Sequence, residues 1–119
     1  MKKTKHEKAV SKLARVVLDA ADKEAGDIIK SYVDVSAMMA FKFLAGELRA
    51  VRVRYEKDFK RFCKTNGFTQ YKVKDIETAA IEQIDLNVFR QYVTLLNMQK
   101  AVDDWVAVFP NIARKHKIT

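Results

Sequence analysis

The chain has 119 residues, and its 23 lysines and arginines outnumber 15 aspartates and glutamates to give a formal net charge of +8. Apolar residues make up 49% of the sequence, which supports a packed core and excludes a wholly disordered chain. Three glycines and one proline are too few for the many turns of a sheet-rich domain. We therefore expect an all-α fold in a single domain over residues 1–119, a compact bundle of about five helices with basic N-terminal and C-terminal ends.

The first of two long predicted helices covers residues 5–33. Thr4 and Glu7 have the spacing of a capping box, which starts helices. Gly26 interrupts the apolar spacing that follows, so we expect the helix to bend or restart there with Asp27 as a cap. Charged residues break up the start of the chain and no apolar run approaches the about 20 residues of a membrane span, so neither a signal peptide nor a transmembrane segment is expected.

The second long helix is the most regular predicted element and covers residues 36–64. Ser36 is its expected N-cap, and Asn66-Gly67 is its expected end because glycine readily adopts the left-handed conformation at a helix C-terminus. Its apolar positions follow helical steps of 4, 3, 4, 4 and 3 residues. They are Leu44, Leu48, Val51, Tyr55, Phe59 and Phe62.

Shorter elements are predicted after Gly67. Residues 65–73 are expected to form an irregular connection, and a short helix is expected to open at Lys74 or Asp75 and continue to Ile81. Asp85 is the expected N-cap of a helix that follows one apolar stripe to Phe109. Pro110 then suits the first turn of a final helix.

Residues 74–96 partly match a helix-turn-helix, the unit that inserts a recognition helix into DNA. Ala79 falls at the small-residue position of the first helix, but Gln83 replaces the usual glycine of the turn. An ordinary helical hairpin is therefore the favoured interpretation.

The positive charge is concentrated in residues 49–64, where seven cations accompany two acids. Most of these cations lie on the helix side away from the apolar stripe. A one-signed, arginine-rich face of this kind neutralises phosphates and favours nucleic acid, although a solvated surface helix can also carry such charges. The termini add further cations. The predicted nucleic-acid-binding residues are Arg49, Arg52, Lys57, Lys60, Arg61, Lys64, Arg114, Lys115 and Lys117.

The segment from Val51 to Thr119 resembles the N-terminal core-binding domain of phage-type tyrosine recombinases, the integrases. The resemblance is carried by Tyr55-Glu56-Lys57-Asp58-Phe59-Lys60-Arg61-Phe62, by residues 84–92 and by the basic residues 112–118. It implies a helical domain that clasps DNA. The recombinase catalytic domain has no counterpart here, so the resemblance implies a fragment or a stand-alone relative that does not cut DNA.

No constellation of catalytic residues is visible. The two histidines, His6 and His116, lie in lysine-rich ends, and Cys63 is expected to be a buried or half-buried small side chain. Isolated glycines and the absence of paired Cys/His motifs argue against phosphate loops and zinc sites. We therefore expect a non-enzymatic, cytoplasmic protein that has no cofactor and no metal and binds nucleic acid, with DNA rather than RNA the expected partner, as an accessory or regulatory factor of phage or mobile-element type.

The alternative is a protein-protein interaction or assembly module, such as a helical adaptor, a homodimer or a subunit of a larger complex. Several apolar positions fall outside the stripe of the second helix, and they would suit either a binding surface or a helix buried on more than one side. Residues 34–64 would then form the dimer contact. The predicted partner-binding residues are Met38, Met39, Phe41, Phe43 and Val53.

Two experiments separate these hypotheses. Reversing the charges of Arg49, Arg52, Lys60 and Arg61 is predicted to abolish nucleic-acid binding with the fold intact. Sedimentation tests for self-association.

Overall fold

The protein is described by a computed structural model that covers the backbone of residues 5–118 and the side chains of residues 25–118. This part of the chain contains six helices and no strand, which confirms the all-α class. The predicted capping box of Thr4 and Glu7 lies outside the described residues. The helices are α1 (Lys5–Tyr55), α2 (Phe59–Asn66), α3 (Gln70–Glu77), α4 (Leu86–Leu95), α5 (Gln99–Val108) and α6 (Pro110–Lys115).

The chain divides into two units, residues 1–35 and residues 36–119. In the first unit, the large apolar side chains described between residues 25 and 35 are exposed. In the second unit, one face of α1 contributes to a core shared with α2 to α6, because apolar side chains on each helix face inward and leave water. The largest fully buried side chains of this core are Tyr92, Phe41, Phe62, Leu48, Ile76, Val73, Val93 and Val102.

α1 is one helix of 51 residues where two were predicted. Gly26 and Ser36 are interior positions, and a single glycine costs a helix only about 1 kcal/mol relative to alanine. The chain breaks instead at residues 56–58, because the Asp58 carboxylate accepts a hydrogen bond from the Arg61 N–H at 3.0 Å and caps α2. The predicted bounds 5–33 and 36–64 are therefore wrong.

The predicted end at Asn66-Gly67 is confirmed. α2 ends at Asn66, and Gly67 has a φ of 71°, the left-handed conformation that glycine adopts at little cost. Its N–H caps the final turn of the helix.

The segment after Gly67 differs from the prediction, because α3 occupies Gln70–Glu77. The irregular connection at 65–73 and the helix to Ile81 are both wrong. α3 stops before Ala79, which has a φ of 58° and so cannot continue a right-handed helix. Residues 78–85 separate α3 from α4, far more than the three or four residues of a helix-turn-helix, and Ala79 lies outside α3. The helix-turn-helix hypothesis is therefore wrong.

Asp85 and Pro110 act as predicted. The Asp85 carboxylate accepts a hydrogen bond from the Val88 N–H at 3.0 Å, and this bond together with Lys72 lowers the pKa of Asp85. Pro110 occupies the first turn of α6. The predicted helix to Phe109 is divided into α4 and α5, because Asn97 takes a φ of 57° between them.

Trp105 joins α5 to the part of α1 that lies in the second unit. Its indole N–H donates a hydrogen bond to the carbonyl of Ala37 at 3.1 Å, and its ring meets Phe41 edge-on with centroids 5.1 Å apart. Phe41 is thus buried in the core, and its predicted role in partner binding is wrong.

Candidate nucleic-acid interface

Arg52 lies in the last turn of α1 and points into the protein, with only 4% of its surface exposed. Its guanidinium donates two parallel hydrogen bonds to Glu77 at the end of α3, from Nε to Oε2 at 2.9 Å and from Nη2 to Oε1 at 2.7 Å. Nη1 donates to the carbonyls of Glu56 and Lys57, both at 3.3 Å. The charge of Arg52 is therefore satisfied internally, and its assignment to a phosphate-binding surface is wrong.

Two aromatic side chains complete this buried cluster, which we call the Arg52 cluster (Arg52, Glu77, Tyr92 and Phe59). The Tyr92 hydroxyl donates to Glu77 Oε2 at 2.8 Å, and the Phe59 ring lies 5.4 Å from Arg52 Cζ. Burial, reinforced by the negative charge of Glu77, raises the pKa of Tyr92. Four helices meet in the cluster. A charge reversal at Arg52 would bring two carboxylates together there, so any set of reversals that includes Arg52 would not leave the fold intact.

The other predicted cations are all exposed. Arg49 lies on α1, one turn before Arg52, and Lys57 lies in the connection to α2. On α2, Lys60, Arg61 and Lys64 face solvent, because Phe62 and Cys63 take the buried side of this short helix. Arg61 Nη1 comes within 4.0 Å of Glu56 Oε1, but the Arg61 side chain is 71% exposed and such a pair contributes little.

An open groove of about 670 Å³ begins beside Arg49. Lys74 and Tyr71 of α3 are both exposed along it, and Arg52 and Glu77 also line it. We call it the cationic groove. Its full lining is Arg49, Arg52, Phe59, Gln70, Tyr71, Lys74, Glu77 and Thr78.

The groove combines the two kinds of group that hold a nucleic-acid strand. Arg49 and Lys74 supply positive charge for phosphates, whereas the Tyr71 ring, 63% exposed, offers a face on which a base can stack. The positive charge of Arg52 is already balanced by Glu77. The free charge of the groove is therefore that of Arg49 and Lys74.

Tyr71 and Lys74 are not among the predicted site residues, because Tyr71 falls in the predicted connection over residues 65–73 and Lys74 at the predicted start of a short helix. A signal was present, since Val73 and Ile76 are apolar positions three residues apart. Once they define the buried side of a helix, Tyr71 and Lys74 fall together on its outer side.

The C-terminal cations form a separate patch. Arg114 and Lys115 lie in α6, which packs on α5, and Lys117 follows this helix. Arg114 Nη2 donates to the Asn111 side-chain oxygen at 2.6 Å. None of these cations lines the cationic groove. The N-terminal lysines lie outside the described side chains.

The predicted partner-binding residues have different environments. Phe41 is buried and Met38 packs against the core, whereas Met39, Phe43 and Val53 are exposed, Phe43 by 74%. A shallow groove of about 530 Å³ runs past the exposed Met39 and Phe43. It is lined by Met39, Lys42, Phe43, Gly46, Glu47 and Ala50.

The groups that could support other chemistry are few in the described part of the chain. Cys63 is buried as expected, and burial raises the pKa of its thiol. Within the described residues, no group of three or more His, Cys, Asp or Glu side chains could hold a metal ion. No helix described here combines the length and apolar content needed to cross a membrane.

No protein-family model matches the chain, and no curated protein or solved structure is significantly similar to it. The resemblance to the core-binding domain of tyrosine recombinases therefore stays a prediction.

Proposed function

We propose that this protein is a non-enzymatic, cytoplasmic nucleic-acid-binding factor of phage or mobile-element type, whose expected partner is DNA rather than RNA and which binds it through phosphate contacts. The observation that carries the proposal is the pair of exposed cations, Arg49 and Lys74, beside the exposed ring of Tyr71. The exposed cations of α2, which are Lys60, Arg61 and Lys64, add further positive charge to the surface.

Two interactions would contribute to the binding free energy: contacts with phosphates and stacking of a base on Tyr71. Phosphates that meet Lys and Arg side chains release condensed counterions, so the affinity depends steeply on salt and weakly on sequence. Stacking on Tyr71 adds affinity for an unpaired base, because a flat aromatic ring accepts any base. The protein has no further positive charge to contribute from Arg52, which Glu77 neutralises.

The test is a fluorescence-anisotropy titration of labelled oligonucleotides, single-stranded and duplex, in about 50 and about 200 mM salt. We expect binding at low salt and a strong decrease in affinity at the higher salt. A triple variant, Arg49→Glu with Lys60→Glu and Arg61→Glu, should bind far more weakly. The slope of log K against log salt should fall by about one for each phosphate that the variant no longer binds.

A matched control is Lys100→Glu, which reverses an exposed lysine on α5 that does not line the cationic groove. Lys60→Glu should weaken binding more than this control does. If the wild-type protein fails to bind any oligonucleotide at low salt, the proposal is wrong. If Lys100→Glu is as harmful as Lys60→Glu, the effect is one of net charge, and the assignment to this surface is wrong.

A further inference from the structure

The outer side of α3 brings an aromatic ring and a cation together in the cationic groove. Tyr71 and Lys74 are three residues apart on this helix, so they are neighbours on its surface. Tyr71 is 63% exposed, and its ring is therefore open to a ligand. A base can stack on such a ring only when it has left the double helix, because a base inside a duplex already has a neighbour on each face.

The positive charge of the groove is small for a surface that holds a duplex. Arg49 and Lys74 carry this charge, because Glu77 lies 2.7 Å from Arg52 and neutralises it. A duplex-binding surface that makes about 6–10 phosphate contacts needs several times as many cations. The exposed cations of α2 do not line the groove. Much of the affinity of the groove itself must therefore come from an interaction other than phosphate contact, and base stacking is such an interaction.

Polar groups in the groove suit the edge of an unpaired base. Gln70 is exposed, and its side-chain amide can both donate and accept a hydrogen bond. The Thr78 hydroxyl donates to the Lys74 carbonyl at 2.7 Å, which leaves its oxygen as an acceptor. The Watson–Crick edges of bases are free to meet such groups only in a single strand. The groove volume of about 670 Å³ also lies in the range that holds ligands of nucleotide size.

We infer that the cationic groove binds single-stranded DNA, with an unpaired base stacked on Tyr71 and the flanking phosphates held by Arg49 and Lys74. This inference rests on the proposed function and narrows its substrate to strands with unpaired bases. The phosphate contacts hold a strand of any sequence, whereas the stacking selects a single strand over a duplex.

The test is a fluorescence-anisotropy titration of the full chain in about 50 mM salt, with three DNA probes of about ten nucleotides or base pairs. The first probe is a single strand of thymidines, and the second is an abasic strand that keeps the same phosphates. The third is a duplex whose ends are closed by non-nucleotide linkers, so that no base is unpaired. The thymidine strand should bind at least about tenfold more tightly than either of the others.

Variants of Tyr71 connect this preference to the groove. Tyr71→Ala should weaken binding of the thymidine strand by about 5-fold to 150-fold, and it should leave the affinities for the abasic strand and the duplex unchanged. Tyr71→Phe keeps the ring and should bind as the wild type does. The matched control is Phe43→Ala, which removes an aromatic ring that is 74% exposed and does not line the groove. It should also bind as the wild type does.

Three results would overturn the inference. They are equal affinity for the thymidine strand and the closed duplex, an equal loss of affinity for the thymidine and abasic strands in Tyr71→Ala, and an equal loss in Phe43→Ala. With any of them, salt-dependent binding that is weakened by Arg49→Gln with Lys74→Gln would leave the proposed function standing. Failure of the wild type to bind all three probes would instead overturn the proposed function and the inference together.

Discussion

Arg49 and Arg52 are three residues apart on α1 and yet serve different purposes. Arg52 is 4% exposed, and its guanidinium donates hydrogen bonds to Glu77. Arg49, in contrast, is exposed at the edge of the cationic groove. Both side chains line the same groove. One turn of helix is enough to separate an arginine that connects helices from an arginine that is free to meet a ligand.

The difference shows that a count of basic residues overstates the charge available for binding. Burying the Arg52 guanidinium costs free energy, because the charge loses its hydration. The two hydrogen bonds to Glu77 offset this cost only while both partners are present. The exposed cations bear no such cost and stabilise the fold little. Variants of the Arg52 cluster should therefore change stability, and variants of Arg49 and Lys74 should change binding.

The largest expected effect comes from Glu77→Ala, which leaves the buried guanidinium of Arg52 without its carboxylate. We expect a loss of about 3–5 kcal/mol in the free energy of unfolding, measured by urea denaturation. Because this is a large share of the about 5–15 kcal/mol that stabilises most domains, the native protein should also open more often. A thiol reagent should then label Cys63 faster than in the wild type.

The control for Glu77→Ala is the double variant Arg52→Met with Glu77→Leu, which replaces the ion pair by apolar side chains of similar size. It should recover part of the stability, since no unpaired charge remains, but the buried Tyr92 hydroxyl loses its acceptor. A double variant as unstable as Glu77→Ala would show that an unpaired charge does not explain the effect, because Met and Leu keep the side-chain volume and carry no charge.

These two arginines also illustrate which features of the structure are predictable from the sequence. The all-α class, the Asp85 and Pro110 helix starts and the Gly67 helix end were predictable, because each depends on residues within one turn of the chain. The ion partner of Arg52 lies 25 residues away, and nothing local indicates it. The break between α1 and α2 at Asp58 is not predictable from the apolar spacing, because Phe59 and Phe62 continue the spacing of α1 across it.

The cationic groove was only partly predictable. The local charge indicates Arg49, whereas Tyr71 and Lys74 come together only once α3 is known, and the apolar pattern of α3 is too short to distinguish it from a connection. A groove also needs two helices side by side, and their approach is set by the buried contacts of the core rather than by any local motif.

A smaller effect is expected from Tyr92→Phe, which removes the hydroxyl that donates to Glu77. The loss should be about 1.5–3 kcal/mol at neutral pH, because the acceptor is a charged carboxylate. Burial raises the pKa of Tyr92 above its ordinary value of 10.0, so this residue stabilises the fold below pH 10 and the contribution is lost as the pH rises further. Urea denaturation should show wild-type stability falling more steeply above that pH than the stability of Tyr92→Phe.

Tyr71→Phe provides the comparison for this alkaline loss, since Tyr71 is exposed and lies outside the Arg52 cluster. The Tyr71→Phe protein should show the alkaline loss of the wild type, because it keeps the buried Tyr92. If Tyr92→Phe also follows the wild type above pH 10, the buried hydroxyl is not the source of the alkaline loss, and burial does not raise the pKa of Tyr92.

The smallest effect on stability is expected from Arg49→Gln combined with Lys74→Gln, which removes both free charges of the cationic groove. Substitutions of exposed residues usually change the free energy of unfolding by no more than about 0.5 kcal/mol each, so urea denaturation should barely distinguish this variant from the wild type. Its affinity for oligonucleotides should nevertheless fall at low salt, and the slope of log K against log salt should decrease by about two.

Such a variant would separate the two roles of arginine on α1. A large decrease in its stability would mean that the groove residues support the fold as Arg52 does. Unchanged oligonucleotide affinity would mean that phosphates are held elsewhere, with the exposed cations of α6 the next surface to test.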